Sequence, residues 1–217
     1  MADTKQETTK AITRPKNAAV AYDMAVLVAP PPMTIVAPRF VTKAPTTIIV
    51  KISDDYFVRD VNTGDALFHI QTKTDVYVTK TLVDLRANLP VAVILEPVMT
   101  GRHRQKVYKP DMTPWFDILP HMTFVTNAAD CDVEDCVTGE THSFGIDGNA
   151  LMRKAVVSRN GVTIARMHKP KAITSKTYII DMAAGVDMAL IVLFCLGMDE
   201  ASNIHLLPVL SCMPCSF

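Results

Sequence analysis

The chain has 217 residues, 49% hydrophobic and 20% charged, the composition of an ordinary soluble globule with length for one large domain or two small ones. Lysine plus arginine and aspartate plus glutamate both number 22, so the zero net charge argues against wholesale coating of nucleic acid and against a generally polycationic membrane protein. Five cysteines, an odd number, behind an N-terminus without a long apolar stretch read as free thiols in a reducing intracellular compartment.

Residues 1–21 are polar and rich in threonine and lysine, too poor in apolar groups to offset the entropy of ordering, and read as a disordered tail. Asp3 and Glu7 speak against an organelle transit peptide. From Tyr22 the chain turns apolar, but Pro30, Pro31, Pro32, Pro38 and Pro45 exclude a helix and predict extended edge segments. From Thr46 to Asp181 short runs rich in β-branched and aromatic residues follow one another: 46–52, 56–61, 66–71 and 91–96 are the clearest of roughly a dozen candidate strands. In the third, Ala66, Phe68 and Ile70 share one face and Leu67, His69 and Gln71 the other. Asn62-Thr63-Gly64-Asp65, Thr138-Gly139, Asp147-Gly148 and Asn160-Gly161 are turn signals that predict antiparallel hairpins. No fixed-period repeat is apparent, which disfavours a propeller or solenoid.

Residues 188–198, MALIVLFCLGM, are apolar between Asp187 and Asp199-Glu200. A membrane span needs about 20 such residues, so this run is too short to cross. Its leucines and alanine favour a helix, and Asp187 suits the positive N-terminal end, whereas Asp199 and Glu200 read as a boundary. A helix apolar on every side has to be surrounded. Since nearly every other segment is strand-like, the expected fold is mainly β: a closed antiparallel barrel enclosing this helix, with no strand edge exposed and no roomy cavity inside. Binding is therefore expected on the exterior.

Tyr56-Phe57-Val58, then Asp60-Val61-Asn62-Thr63-Gly64-Asp65 and Leu67-Phe68, resemble the opening hairpin of the LURP-one-related family. Lys176-Thr177-Tyr178-Ile179-Ile180-Asp181, Ala184-Gly185-Val186-Asp187, Ala189-Leu190-Ile191 and Asp199-Glu200 are similar to its tyrosine strand, glycine-valine-aspartate turn and central helix. The hairpin of Ala155-Val156-Val157 and Val162 to Lys169 matches as well, so the resemblance covers residues 22–202, leaving 203–217 as a C-terminal extension. Alanine stands before Gly185 where the family commonly has proline. The resemblance implies a twelve-stranded barrel of the tubby C-terminal and phospholipid scramblase type. It also implies a membrane-associated signalling or adaptor module rather than an established enzyme.

The zero net charge conceals segregation along the chain. Residues 111–147 hold eight acids and no lysine or arginine, and residues 148–180 hold seven bases and no acid. Arg153, Lys154, Arg166, Lys169, Lys171 and Lys176 are the candidate anionic-lipid contacts, each base worth about 1 kcal/mol near a membrane surface. Arg102, Arg104, Lys106 and Lys109 form a secondary basic group. The competing reading is a protein-binding regulator, defence or stress related, whose bases are complemented by acids within the barrel. Neither reading needs a cofactor, a nucleic acid or an oligomer, and both place the protein in the cytoplasm, peripheral to a membrane if the lipid reading holds.

Asp130, Asp132, Glu134 and Asp135 are a candidate weak calcium cluster but not an EF-hand, because Asp135 stands where the loop glycine belongs and Thr141 where its glutamate belongs. Asp132 and Glu134 are expected on one strand face, and the preferred reading is a solvated strand or a partner for the basic stretch. Cys131 with Cys136, and Cys212 with Cys215, overlap zinc spacings, but the second pair has no nearby histidine; Cys212 or Cys215 is a candidate palmitoyl acceptor. The scattered histidines, and the lack of a nucleophile elbow or phosphate-cradling glycine loop, leave catalysis unsupported. Trp115, a lone tryptophan on a strand, reads as core.

Overall fold

The computed structural model describes residues 22–51, 56–75, 77–97, 104–122, 126–149, 154–170 and 177–204. The first strands are β1 (Thr46–Lys51), β2 (Tyr56–Asp60), β3 (Ala66–Thr74), β4 (Tyr77–Asp84), β5 (Leu89–Pro97) and β6 (Gln105–Tyr108). They are followed by β7 (Pro114–Met122), β8 (Thr126–Glu134), β9 (Thr141–Asn149), β10 (Lys154–Arg159), β11 (Val162–His168) and β12 (Thr177–Met182). Each pairs antiparallel with its sequence neighbours, and β1 closes the ring on β12 through Thr46↔Met182 to Lys51↔Thr177. The twelve strands thus form a closed barrel with no free edge.

Among the described residues a single helix, α1 (Met188–Ile204), threads it. Its 17 residues span about 25 Å at 1.5 Å per residue, enough to run from one rim to the other. Residues 189–199 are buried without a break, as an all-round apolar helix requires. Phe194 meets Phe144 and Phe116 at centroid distances of 5.5 and 6.4 Å. Alternation supplies the surrounding wall: Phe68 and Ile70 of β3 are buried, while Leu67 and His69 are half-exposed on the other face. No helix among the described residues is long and apolar enough to cross a membrane.

Antiparallel order sorts the connections. The β2–β3, β4–β5, β6–β7, β8–β9 and β10–β11 turns lie at the end where β12 leads into α1, here the N-rim, and α1 ends at the opposite C-rim. Three N-rim turns repeat one design. Asp60, Asp84 and Asp135 each accept the N–H groups two and three residues ahead, and the fourth residue on, Gly64, Asn88 or Gly139, has positive φ.

Three expectations need correction. Residues 22–45 form no edge strand: Tyr22–Met24 is a helical turn, Pro38–Phe40 a 3-10 turn, and the only pairing is the isolated Val41↔Asp187 bridge. Proline at the first positions of the 3-10 turn costs nothing, because the N–H it lacks would have no partner there. Asp147-Gly148 is not a turn; both residues lie inside β9 and pair with β8 and β10, tertiary pairing overriding the dipeptide's local preference. Asp199 does not end the helix, which continues to Ile204, because barrel side chains satisfy the carboxylate. The tail 1–21 and the extension from 205 lie outside the described residues.

Candidate functional site

Residues 22–45 strap the barrel, crossing the outer face of β10 and β11 and then the N-rim. Val28 N–H donates to Thr163 O at 3.0 Å, and Arg159 reaches the Pro31 carbonyl at 2.9 Å. Asp135 Oδ2 accepts from Thr34 N–H at 2.7 Å, and Asp187 Oδ2 from Ile35 and Val36 N–H at 3.1 and 2.7 Å. Gly185 has φ +81°, and a Cβ there would lie 3.0 Å from the Pro30 carbonyl, so glycine is required where strap and turn cross. Beneath the strap, buried His142 lies 2.9 Å from an Arg159 terminal nitrogen; burial and this cation both lower the imidazole pKa. Burial works to raise the Asp135 pKa, but the N–H groups of Thr34, Thr138 and Val137 outweigh it and leave it below the usual carboxylate value.

Every described member of the main basic set has a carboxylate partner. Lys154 pairs with Asp23 of the strap, Arg166 Nε with Asp181 at 2.9 Å, and Lys169 with buried Asp199 at 3.0 Å. Tyr22 inserts beside two of them, its ring 4.8 Å from Lys154 Nζ and 5.7 Å from the Arg166 guanidinium carbon, its hydroxyl 2.7 Å from His168 Nδ1. Burial raises the Tyr22 pKa and lowers that of His168. Arg153, Lys171 and Lys176 lie outside the described residues, as does Arg102. Of the secondary group, Arg104 pairs with Asp117, Lys106 is exposed on β6, and Lys109 lies past its far end on the N-rim.

The barrel brings together bases that the sequence keeps far apart. Lys51 ends β1, Lys73 nears the end of β3, and Arg104, Lys154 and Lys169 flank β6, β10 and β11, all toward the C-rim. Lys51, Lys73 and Lys106 are exposed and have no carboxylate partner among the described residues. On that side Asp117 stands opposite Lys106 in register and pairs with Arg104, and Asp75 and Asp147 lie toward the same rim, whereas exposed Asp65, Asp111, Glu134 and Glu140 crowd the N-rim. Lys51 and Lys73 escape a reading that looks for charge runs, since each is a single base at the end of an alternating strand. The terminal position itself is the sequence signal that finds them.

The remaining candidates fall into place on the wall. Asp132 and Glu134 share the exposed face of β8, and Asp132 accepts from the Ser143 hydroxyl at 2.6 Å. Cys131 and Cys195 are buried, which pushes both thiols up, and Cys136 is exposed on the β8–β9 turn. Trp115 is half-buried, edge-on to Phe116 at 5.4 Å.

The family model for LURP-one-related proteins matches residues 46–199, from the first residue of β1 to the buried aspartate of α1. The chain belongs to the LURP-one-related family. An X-ray structure of a protein from Arabidopsis thaliana is similar in fold, with a TM-score of 0.55 and 19% identity over 77% of this chain and 98% of that one. No curated protein matches the sequence. For this LURP-one-related chain the matched segment is the barrel with its helix, and the strap before Thr46 lies outside it.

Proposed function

We propose that this LURP-one-related barrel is a non-catalytic recognition module that rests its C-rim on anionic phospholipid surfaces, as a peripheral adaptor on the cytoplasmic side. The carrying observation is the set of exposed lysines without carboxylate partners among the described residues, Lys51, Lys73 and Lys106, on the side where Arg104, Lys154 and Lys169 also stand. Strands lie about 4.8 Å apart, so bases on β1, β3 and β6 are spread around a rim, which matches a plane of headgroups better than a single one. Each adds about 1 kcal/mol near an anionic leaflet, and several acting together give salt-sensitive adsorption. The basic stretch 148–180 contributes less than its composition suggests, since Lys154, Arg166 and Lys169 spend their charge on Asp23, Asp181 and Asp199. That internal pairing favours the second reading, a regulator that docks a protein partner.

Cosedimentation with phosphatidylcholine vesicles, with and without phosphatidylserine or phosphoinositide, separates the two. Salt-sensitive binding to the anionic vesicles, lost in Lys51→Glu/Lys73→Glu/Lys106→Glu, is the expected result. Absence of binding to any vesicle overturns the lipid reading in favour of the protein partner.

A further inference from the structure

A cavity of about 500 Å³ opens on the N-rim, the opposite end from the lysines above. Its apolar lining comes from Ile35, Phe40, Val91, Pro114 and Trp115, with Arg39, Lys109, Glu134 and Cys136 around them. The size and the mixture of aromatic walls with a few polar groups are those of a small-molecule site.

The walls are held rigidly. The strap side is pinned by the Asp187 carboxylate at Ile35 and Val36, and by Asp135 at Thr34, whose carbonyl accepts the Cys136 N–H at 2.8 Å. Arg39 lies with its guanidinium carbon 4.4 Å from the Phe40 ring centroid and spends only Nε on Asp84, at 2.9 Å. That fork keeps its terminal N–H groups for another acceptor. Lys109 and Glu134 line the same cavity and make no ion pair with one another or with any other described residue. Asp111, on the same turn as Lys109, feels its charge: the N–H and hydroxyl of Thr113 lower the Asp111 pKa most, and Lys109 lowers it further. Two cations and one carboxylate therefore border an apolar floor that is formed without a ligand.

The geometry points to a binding site for a small organic acid with an aromatic or alicyclic body: its anionic group between Arg39 and Lys109, its ring on Phe40, Val91 and Trp115, and a hydrogen-bond donor toward Glu134. The site is independent of the lipid reading, being at the other rim and using none of its residues.

The chain contains a single tryptophan, and it lines this cavity, so its fluorescence follows binding of a naphthylamine probe, while substitutions at Lys109 and Glu134 tie that binding to the cavity. The test titrates the full chain with 8-anilinonaphthalene-1-sulfonate, an aromatic anion carrying an N–H donor, and with N-phenyl-1-naphthylamine, which keeps the rings and the N–H but lacks the sulfonate. Saturable quenching of Trp115 is expected, with the sulfonate bound about tenfold or more tightly than the neutral compound. Lys109→Glu weakens the sulfonate about tenfold and Glu134→Gln strengthens it about threefold, charge changes of the size that such contacts carry. Both side chains are exposed and free of ion pairs, so thermal unfolding followed by circular dichroism should match the wild type for both variants. Unsaturable quenching, equal affinity for the two probes, or indifference to both substitutions overturns the proposal.

Discussion

The Val36 N–H donates to Asp187 Oδ2 at 2.7 Å across 151 residues of sequence, joining the strap to the start of the central helix. The same oxygen accepts from Ile35, while Oδ1 accepts from Ala189 and Leu190 N–H, so one fully buried carboxylate caps α1 and holds the strap against the N-rim. Asp187→Ala should cost about 3 kcal/mol or more, because it removes a helix cap and leaves buried donors unsatisfied. Chemical denaturation measures the loss. Hydrogen exchange at Ile35 and Val36 should show their amides losing protection, which a general weakening of the barrel would not single out.

The pH dependence of the same group has a definite sign. Burial pushes the Asp187 pKa up to about 6, against the opposing pull of its N–H donors, from an ordinary 3.8. The folded state then holds this proton more tightly than the unfolded chain, so the group's contribution is fully present below 3.8 and is lost as pH rises to about 6. The stability difference between wild type and Asp187→Ala should shrink from pH 4 to pH 6 and level off above. A difference that grows over that window would assign the proton elsewhere. Asp135, with its pKa lowered, acts in the opposite direction and cancels in the comparison because both proteins carry it.

The helix, the alternating strands and three hairpin turns are legible in the sequence because each rests on local physics: an apolar run, a period of two, a glycine or asparagine at positive φ. What joins them is not local. Asp23 with Lys154, Asp187 with Val36 and Asp199 with Lys169 are long-range pairs set by the closure of β1 on β12 and by the course of the strap, and no spacing rule reports them. Asp135 reads as one more acid in a cluster, yet it is buried and works as a clamp. The basic stretch 148–180 is visible as composition, whereas the ion pairs of Lys154, Arg166 and Lys169, and the bond of Arg159 to the Pro31 carbonyl, are visible only once β12, α1 and the strap are in place.

At the C-rim, buried Asp199 accepts from the Tyr178 hydroxyl at 2.5 Å and from Lys169 at 3.0 Å, and the lysine ammonium lies 4.4 Å from the Tyr178 ring centroid. Hydrogen bonds to a charged acceptor contribute about 1.5–3 kcal/mol, so Tyr178→Phe should lower the unfolding free energy by that amount. Lys169→Glu should cost more, since it sets a second negative charge beside a buried one. A vesicle assay that relied on Lys169→Glu would therefore mix unfolding with lost binding, and the exposed lysines 51, 73 and 106 avoid this.

Asn88 has φ +52° at the end of the β4–β5 turn, where the equivalent residues of two other N-rim turns are Gly64 and Gly139. Asn88→Gly relieves the left-handed strain but gives the unfolded chain more freedom, so the two effects nearly cancel. The expected change in unfolding free energy is within about 0.5 kcal/mol. Asn88→Val, with a β-branched side chain at the same φ, should cost about 1–2 kcal/mol, measured by the same denaturation curves.

At Gly197 α1 lies close against the wall. A Cβ there would lie 2.7 Å from Ile118 Cδ1 and 3.8 Å from Gln105 Cγ, and both neighbours are fully buried. Alanine gains about 1 kcal/mol in helix propensity, but it crowds the end of an isoleucine side chain, and such overpacking typically costs 1–3 kcal/mol. Gly197→Ala should therefore be mildly destabilising, and Gly197→Val, which cannot be absorbed by turning one methyl group, strongly so. Ile118→Val separates the two terms, because it deletes the very atom that the new Cβ would meet. Alone it should cost about 0.5–1.5 kcal/mol. Added to Ile118→Val, the alanine has room and only its helix propensity remains, so Gly197→Ala should turn stabilising in that background. A double-mutant cycle by denaturant unfolding that returned no coupling between the two positions would mean the helix adjusts at Gly197 without pressing on β7.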